Sequence, residues 1–359
     1  MDEQLSELGF YGLAGHSNTP RDLVGEVLDA ERLGLGSVFL SERFNFKEAA
    51  TLSGAAGGLT ERLGVATGAT NHNTRHPMIT ATFGSTMHRL TEGRFSLGLG
   101  RGFDPLFQVM GLPTITMAQM EDMAGLLRRL WHGEMIFGHE GPAGKFPYLG
   151  LDPSFDEDIP IMLVAIGEKT LEFAGRVFDG VILHTFFSDE TLERAVAAVR
   201  RGAEQAGRDP ASVRVWSVLA TVGDHIDEDL RLKKLVGRLA TYLQGYGDVL
   251  VKTNRWDPEV LVRFRADDRV TSVKGAIDAI ATPDQLRAIA ELLPDEWLAA
   301  SATGSPEQCA SRVLDQFDAG ADGVILHGAT PAELEPVLAA YRQVRPAGRF
   351  DSAEPNPGR

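Results

Sequence analysis

The sequence predicts a single-domain α/β fold, a (β/α)8 barrel, from three observations. Eight short apolar segments that read as strands alternate with amphipathic helices, the pattern of a parallel sheet covered by helices. The hexapeptide DGVILH occurs at Asp179 to His184 and again, letter for letter, at Asp322 to His327. Each copy follows a short helical segment rich in Ala and Gly (LEFAGRVF and VLDQFDAGA), so the two read as equivalent strands of a repeated unit. The stretch Leu63 to Phe103 reads as strand, helix, strand, with Pro77 suited to the first helical turn and the second strand ending in Gly-Arg-Gly. Parallel strands joined by a helix make a βαβ unit, and eight such units favour closure over an open sheet.

In chain order the candidate strands are Gly9 to Ala14, Ser37 to Leu40, Leu63 to Ala69, Phe95 to Leu99, Ile161 to Ala165, Gly180 to Leu183, Val213 to Thr221 and Gly323 to Leu326. The first helix has Thr19 as N-cap, Pro20 in the first turn, Leu23, Val24, Val27 and Leu33 on one face, and Gly34 as its stop. Another follows Ser188, with Leu192, Val196 and Val199 facing inward and Gly207 ending it. Two gaps interrupt this spacing, at about 103–159 and 223–321. The first holds a Met-rich helix near Thr116 to Trp131, a hairpin through GEMIFGHEGPAGKFPYLGL and an acidic loop. The second is mostly helical and carries the basic and aromatic run TYLQGYGDVLVKTNRWDPEVLVRFR. In a barrel whose site lies at the C-terminal strand ends, insertions at those ends roof the pocket. Met110, Met117, Met120 and Met123 read as adaptable packing. The expected barrel covers 1–345, and the remaining 346–359, PAGRFDSAEPNPGR, reads as a disordered tail.

The net charge is −15, with 35 Lys and Arg against 50 Asp and Glu, which disfavours a general nucleic-acid or anionic-membrane surface. No secretory signal and no membrane-spanning apolar run is visible, so a cytoplasmic protein is expected. Cys309 is the only cysteine, which excludes an internal disulfide and a cysteine-based metal site and reads as a helix packing residue. His72 and His76 sit four apart, but Pro77 disfavours a helix across both, and no metal site is expected.

Several strand exits carry candidate chemistry. The turn Ala165, Ile166, Gly167, Glu168, Lys169, Thr170 opens a helix, and free N–H groups at a helix start favour a phosphate, with Lys169 adding a full charge. At the second exit, Glu42 can act as a base if buried, or can simply pair with Arg43, which stays protonated and can bind an anion or stabilise developing negative charge. His16, His184 and His327 fall after the first, sixth and eighth strands, where each can pack or participate; Arg101 and Asp104 follow the fourth. Arg75 can pair with an acidic neighbour or contact a cofactor.

Taken together, GATNHNTRHP at Gly68 to Pro77, GRFSLGLGRG at Gly93 to Gly102 and AGRVFDGVIL at Ala174 to Leu183 resemble the bacterial luciferase-like superfamily, specifically its coenzyme F420-dependent oxidoreductases. The resemblance covers about residues 8 to 345. It implies a TIM barrel with the deazaflavin, or alternatively FMN, at the C-terminal mouth, and a small or medium organic substrate. It further implies a bulge with a cis peptide not involving proline at Gly68–Ala69, flanked by Thr67 and Thr70, against the back of the ring. The phosphate falls to Ala165 through Thr170, where Glu168 and Lys169 depart from the family's glycine-rich turn with a proline. Arg101 joins the cofactor-binding set. Glu42 matches the family's acid, while Arg43 stands where a proton-exchanging histidine is found; with His184 these form the catalytic set. The resemblance also implies a homodimer. Two alternatives stay open: an FMN-dependent monooxygenase, and a flavin- or F420-binding protein without turnover, which the missing histidine suggests.

Overall fold

The computed structural model describes residues 4–359, so residues 1–3 of the expected barrel lie outside the described residues. Eight parallel strands run in chain order: β1 (Leu5–Tyr11), β2 (Leu35–Leu40), β3 (Gly64–Thr67), β4 (Phe95–Leu99), β5 (Ile161–Val164), β6 (Gly180–Ile182), β7 (Arg214–Gly223) and β8 (Gly323–His327). Each pairs with the next, and β8 returns to β1, closing a (β/α)8 barrel. Phe39, Ala66, Met162, Ile182, Trp216, Val218 and Ile325 fill its interior as one buried cluster.

The two DGVILH copies become β6 and β8 and flank β7 on either side. Their leading aspartates act alike. Asp179 accepts from Ile161 N at 2.9 Å and Asp322 from Val215 N at 2.8 Å, each fastening its strand to an earlier barrel strand. An arginine from a covering helix meets each carboxylate, Arg128 on Asp179 and Arg200 on Asp322.

Strand β1 begins four residues before the expected Gly9. The polar Ser6 and Glu7 hide it in the sequence, yet Glu7 is fully buried and accepts from Tyr341 Oη at 3.1 Å and Arg345 Nε at 2.7 Å. Thr19 caps a short 3₁₀ turn, Pro20–Asp22, that leads into the helix Leu23–Arg32. Val24 corrects the expected inward face: it is 39% exposed while Leu23, Val27 and Leu33 are buried, because one residue turns a helix by about 100°. The helix Asp189–Gln205 starts at Ser188, whose hydroxyl accepts from Thr191 N, and buries Leu192, Val196 and Val199.

Between β4 and β5 lie the helix Met117–Trp131 and an antiparallel hairpin, Ile136–Gly141 with Gly144–Leu149. Met120 and Met123 pack in the core, whereas Met110 and Met117 are exposed. After β7 come helices that include Arg238–Gly245, Gly247–Asn254 and Pro258–Ala266. A further strand, Ser301–Gly304, lies parallel to the end of β7. Its sequence, SATG, offers no run of apolar residues by which to recognise it. Cys309 is buried in the helix Pro306–Asp318.

The tail is a correction. Residues 355–359 do not read as disordered in the fold; they cross the N-terminal end of the barrel. Asn356, 4% exposed, receives Ser96 Oγ at 2.5 Å and donates to Gly93 O at 2.6 Å and Phe95 O at 3.1 Å. Trp216 Nε1 donates to Pro357 O at 2.7 Å, and the Arg214 guanidinium donates to Asn356 O at 3.1 Å. The polar composition that suggests disorder supplies the partners that these buried backbone groups need.

Candidate active site

The C-terminal ends of β2, β3 and β4 converge on one wall of the mouth. The Gly68–Ala69 bond that leaves β3 is cis. Both sides of it are tied to β2, Gly68 N to Leu40 O at 2.8 Å and Glu42 N to Ala69 O at 2.9 Å. On the other side Thr70 N donates to Gly98 O at 3.0 Å and Gly100 N to Thr70 O at 3.0 Å. Thr67 locks the same seam, its hydroxyl donating to Gly98 O at 2.7 Å and accepting from Gly98 N at 2.8 Å. Gly98 admits no side chain because a methyl there would overlap the Thr67 carbonyl oxygen. With Gly68, Ala69 and Gly100 also small, this wall is backbone and methyl groups.

Glu42 is fully engaged. Oε1 accepts from Thr70 Oγ1 at 2.7 Å and Arg75 at 2.8 Å, and Oε2 accepts from Ala49 N at 3.0 Å. Its side chain is 4% exposed. The ion pair expected with Arg43 forms instead with Arg75, which also meets Glu48. Arg75 therefore takes the acidic neighbours, and Glu42 organises the β2 and β3 exits. The Glu42→Gln variant is expected to lose about 2 kcal/mol in urea unfolding, the worth of charge-assisted hydrogen bonds; an unchanged midpoint would show that the pair is dispensable. Arg43 itself is exposed.

Three basic side chains from remote segments tie down the β1 exit. Lys47 Nζ donates to Gly12 O at 2.6 Å, Arg238 to Ala14 O at 3.0 Å, and Lys234 Nζ to Gly15 O at 3.2 Å and Gly328 O at 2.9 Å. Lys234 pairs with Glu333 at 2.9 Å and Arg238 with Asp278 at 3.0 Å. Burial pushes the Lys47 ammonium down to about 7, with Arg43 acting in the same direction. Burial and the adjacent cations push His16 down to about 3, so its ring is neutral.

At the β5 exit, Ala165 is buried and donates its N–H to Ile182 O at 3.0 Å, and Ile166 is half-buried. Gly167 precedes the helix Glu168–Val177, which no side chain caps, and the space where a Gly167 side chain would stand is open. Thr170 N bonds back to Gly167 O at 2.9 Å. The two departures from the family turn point elsewhere: Glu168 pairs with Arg201 at 2.8 Å, and Lys169 lines an outer groove with Met117, Glu121 and Glu172. Backbone N–H groups at this turn remain open to an anion. Arg101 donates to Ile115 O at 2.9 Å and lies 3.7 Å from Asp104, holding the first insertion against the β4 exit.

The remaining exits bring two histidines together. His184 Nδ1 donates to Thr185 O at 3.0 Å, which leaves Nε2 with the lone pair; burial lowers its pKa. Thr185 Oγ1 lies 3.0 Å from His327 Nδ1, and the His327 ring meets Tyr11 at 5.2 Å. Burial, reinforced by Arg238 and His184, holds His327 neutral. The second insertion roofs them, with Tyr242 4.8 Å and Tyr246 6.0 Å from His184 between ring centres. Tyr246 also reaches Phe103 at 5.3 Å, so the two insertions meet above the mouth.

The family model described as luciferase-like monooxygenase matches residues 6–323 of this chain. The chain belongs to that family. Among curated relatives it is 28% identical over 301 residues to a 5,10-methylenetetrahydromethanopterin reductase of Methanolobus tindarius, covering 82% of this chain and 86% of the relative. Among solved structures, the coenzyme F420 dependent tetrahydromethanopterin reductase of Methanopyrus kandleri superposes with a TM-score of 0.78 at 20% identity, over 96% of this chain and 99% of that one. An F420-dependent secondary alcohol dehydrogenase bound to an F420–acetone adduct gives 0.71 at 18% identity, over 96% and 100%. Both share the barrel fold.

Within this luciferase-like mouth, Lys47, Lys234 and Arg238 are the residues that sequence reasoning missed. Lys47 stands in the loop already singled out at Glu42 and Arg43, so proximity was an available signal. Lys234 and Arg238 lie just ahead of the flagged basic and aromatic run, and only the return of that insertion to β1 brings them to the site. Among the described residues, no group of three or more His, Cys, Asp or Glu side chains can hold a metal ion, and no helix is long and apolar enough to cross a membrane.

Proposed function

We propose that the protein is an F420-dependent oxidoreductase that moves a hydride between the deazaflavin and a small or medium organic substrate. The observation that supports this reading is the likeness along 82% of the chain to a methylenetetrahydromethanopterin reductase, joined by the superposition on a coenzyme F420 dependent tetrahydromethanopterin reductase. The residues present fit the cofactor. The wall of Thr67, Gly68, Ala69, Thr70 and Gly100 puts no side chain larger than threonine between the β3 and β4 exits, as close approach of a flat ring requires. The uncapped helix start at Gly167 suits a phosphate. Bound there, the deazaflavin supplies hydride donation or acceptance.

The chain's own residues divide the rest of the work. Within the turn Ala165 to Thr170, the N–H groups of Ile166 through Lys169 hold the phosphate, those of Ala165 and Thr170 being bonded within the fold, and Arg101 fixes the loop beside the ring. Arg43, unpaired and at the mouth, meets negative charge on the substrate. His184 is the proton acceptor, since its neutral ring presents Nε2 while Nδ1 is held by Thr185 O. Glu42 positions β2 and β3 and takes no proton. Tyr242, Tyr246 and Phe103 exclude water from above. The reading includes a homodimer in the cytoplasm with no nucleic-acid or membrane partner.

The family description favours one second reading, an FMN-dependent monooxygenase. Titration of the purified protein with F420 and with FMN, followed by fluorescence, separates them. F420 is expected to bind at least about tenfold more tightly, a difference of about 1.4 kcal/mol; saturable FMN binding with none of F420 would overturn the first reading.

A further inference from the structure

The β1 exit carries a feature that hydride transfer to a neutral substrate does not need. In the segment Gly12–His16 the carbonyl oxygens of Gly12, Ala14 and Gly15 are held by Lys47, Arg238 and Lys234, and it ends on His16 in the left-handed region at φ 64°, uncommon for a residue other than glycine. His16 Nε2 is buried without a hydrogen-bond partner. So is Nε of Arg238, whose side chain is only 4% exposed. The charged groups that act most strongly on the His16 ring are Arg238, Lys233, Lys234 and Arg43, all cations. Of the acids packed nearby, Asp278 is taken by Arg238, Glu333 by Lys234, and Glu26 by Leu13 N and Ser17 Oγ. Glu42 is taken by Arg75. Arg43 and Lys233 form no ion pair among the described residues. Buried polar atoms without partners are uncommon, and a corner with excess positive charge favours an anion.

We propose that this corner, bounded by His16, Arg43, Lys233 and Arg238, is an anion subsite that holds a carboxylate or phosphate group of the organic substrate. The inference rests on the oxidoreductase reading and narrows its substrate class to organic anions. The corner lies on the β1 and second-insertion side of the mouth. The ring wall and the Gly167 helix start belong to β3, β4 and β5. A substrate anchored here by its charge is oriented by a group remote from the reacting carbon.

The test uses the full chain with labelled histidine, the His16 ring resonance being assigned by its loss in His16→Asn. Inorganic phosphate and acetate are titrated separately at neutral pH, without F420 and at saturating F420. A saturable shift of the His16 resonance with either anion, kept when F420 is bound and weakened about tenfold in Arg43→Gln, supports the proposal. The stronger anion names the group. Arg43 is exposed, so the variant is expected to fold, and Lys233→Gln provides a second reading of the same loss. No shift with either anion, or a shift abolished by F420, overturns it, the latter assigning the corner to the cofactor. If F420 fails to bind while the anion shift persists, the cofactor reading falls and the subsite stands.

Discussion

Replacing Gly98 by alanine is expected to destabilise the protein by about 3 kcal/mol and to weaken F420 binding at least about tenfold. The added methyl falls on the Thr67 carbonyl oxygen, a backbone atom that cannot rotate away. Relief requires β3 and β4 to separate. That separation strains the Thr67 hydroxyl bonds to Gly98 N and O and the Thr70 N bond to Gly98 O. Overpacking of this kind costs about 1 to 3 kcal/mol before hydrogen bonds are lost. The same seam holds the Gly68–Ala69 wall, so the loss in binding should exceed what unfolding alone explains. Gly54, midway along the helix Ala49–Leu59, is the control: nothing lies within 4 Å of a side chain there, and Gly54→Ala should gain about 0.5 to 1 kcal/mol. Urea unfolding of both variants checks the contrast, and equal midpoints for Gly98→Ala and the parent would refute the packing argument.

The second large effect lies at the opposite end of the barrel. Asn356→Ala is expected to cost about 3 kcal/mol while leaving F420 affinity within about twofold. One amide there serves Ser96 Oγ, Gly93 O, Phe95 O and Gly358 N. Its loss leaves buried groups unsatisfied, at about 1 to 3 kcal/mol each before relaxation. Deleting residues 355–359 should cost more, because Trp216 Nε1 and the Arg214 guanidinium, which lies 4.6 Å over the Trp216 ring, lose their tail carbonyls as well. Parallel urea unfolding and F420 titration read the two effects. A tail variant as stable as the parent would mean that the segment only rests on the barrel.

The eight strands were legible because each carries its own local signal, a short apolar run between turn residues. The DGVILH repeat went further, since two identical strands proved to flank β7. Where a strand carried polar residues, as at Ser6 and Glu7 or in Ser301–Gly304, the signal failed. At the candidate site, the motifs located the β3 and β4 wall and the β5 turn. They did not reveal the partners: Glu42 meets Arg75 and not Arg43, and Glu168 meets Arg201.

By itself, then, the sequence determined the barrel, the order of its strands and the exits at which chemistry gathers, because periodicity of 2 and 3.6 residues is set within each segment. Tertiary structure alone decided which charges are paired and which remain free. Lys234 and Arg238 reach the β1 exit across more than two hundred residues, and the tail finds its partners in β4 and β7. Such contacts are fixed by where closed strands and returning insertions meet in space, and no spacing along the chain encodes that meeting.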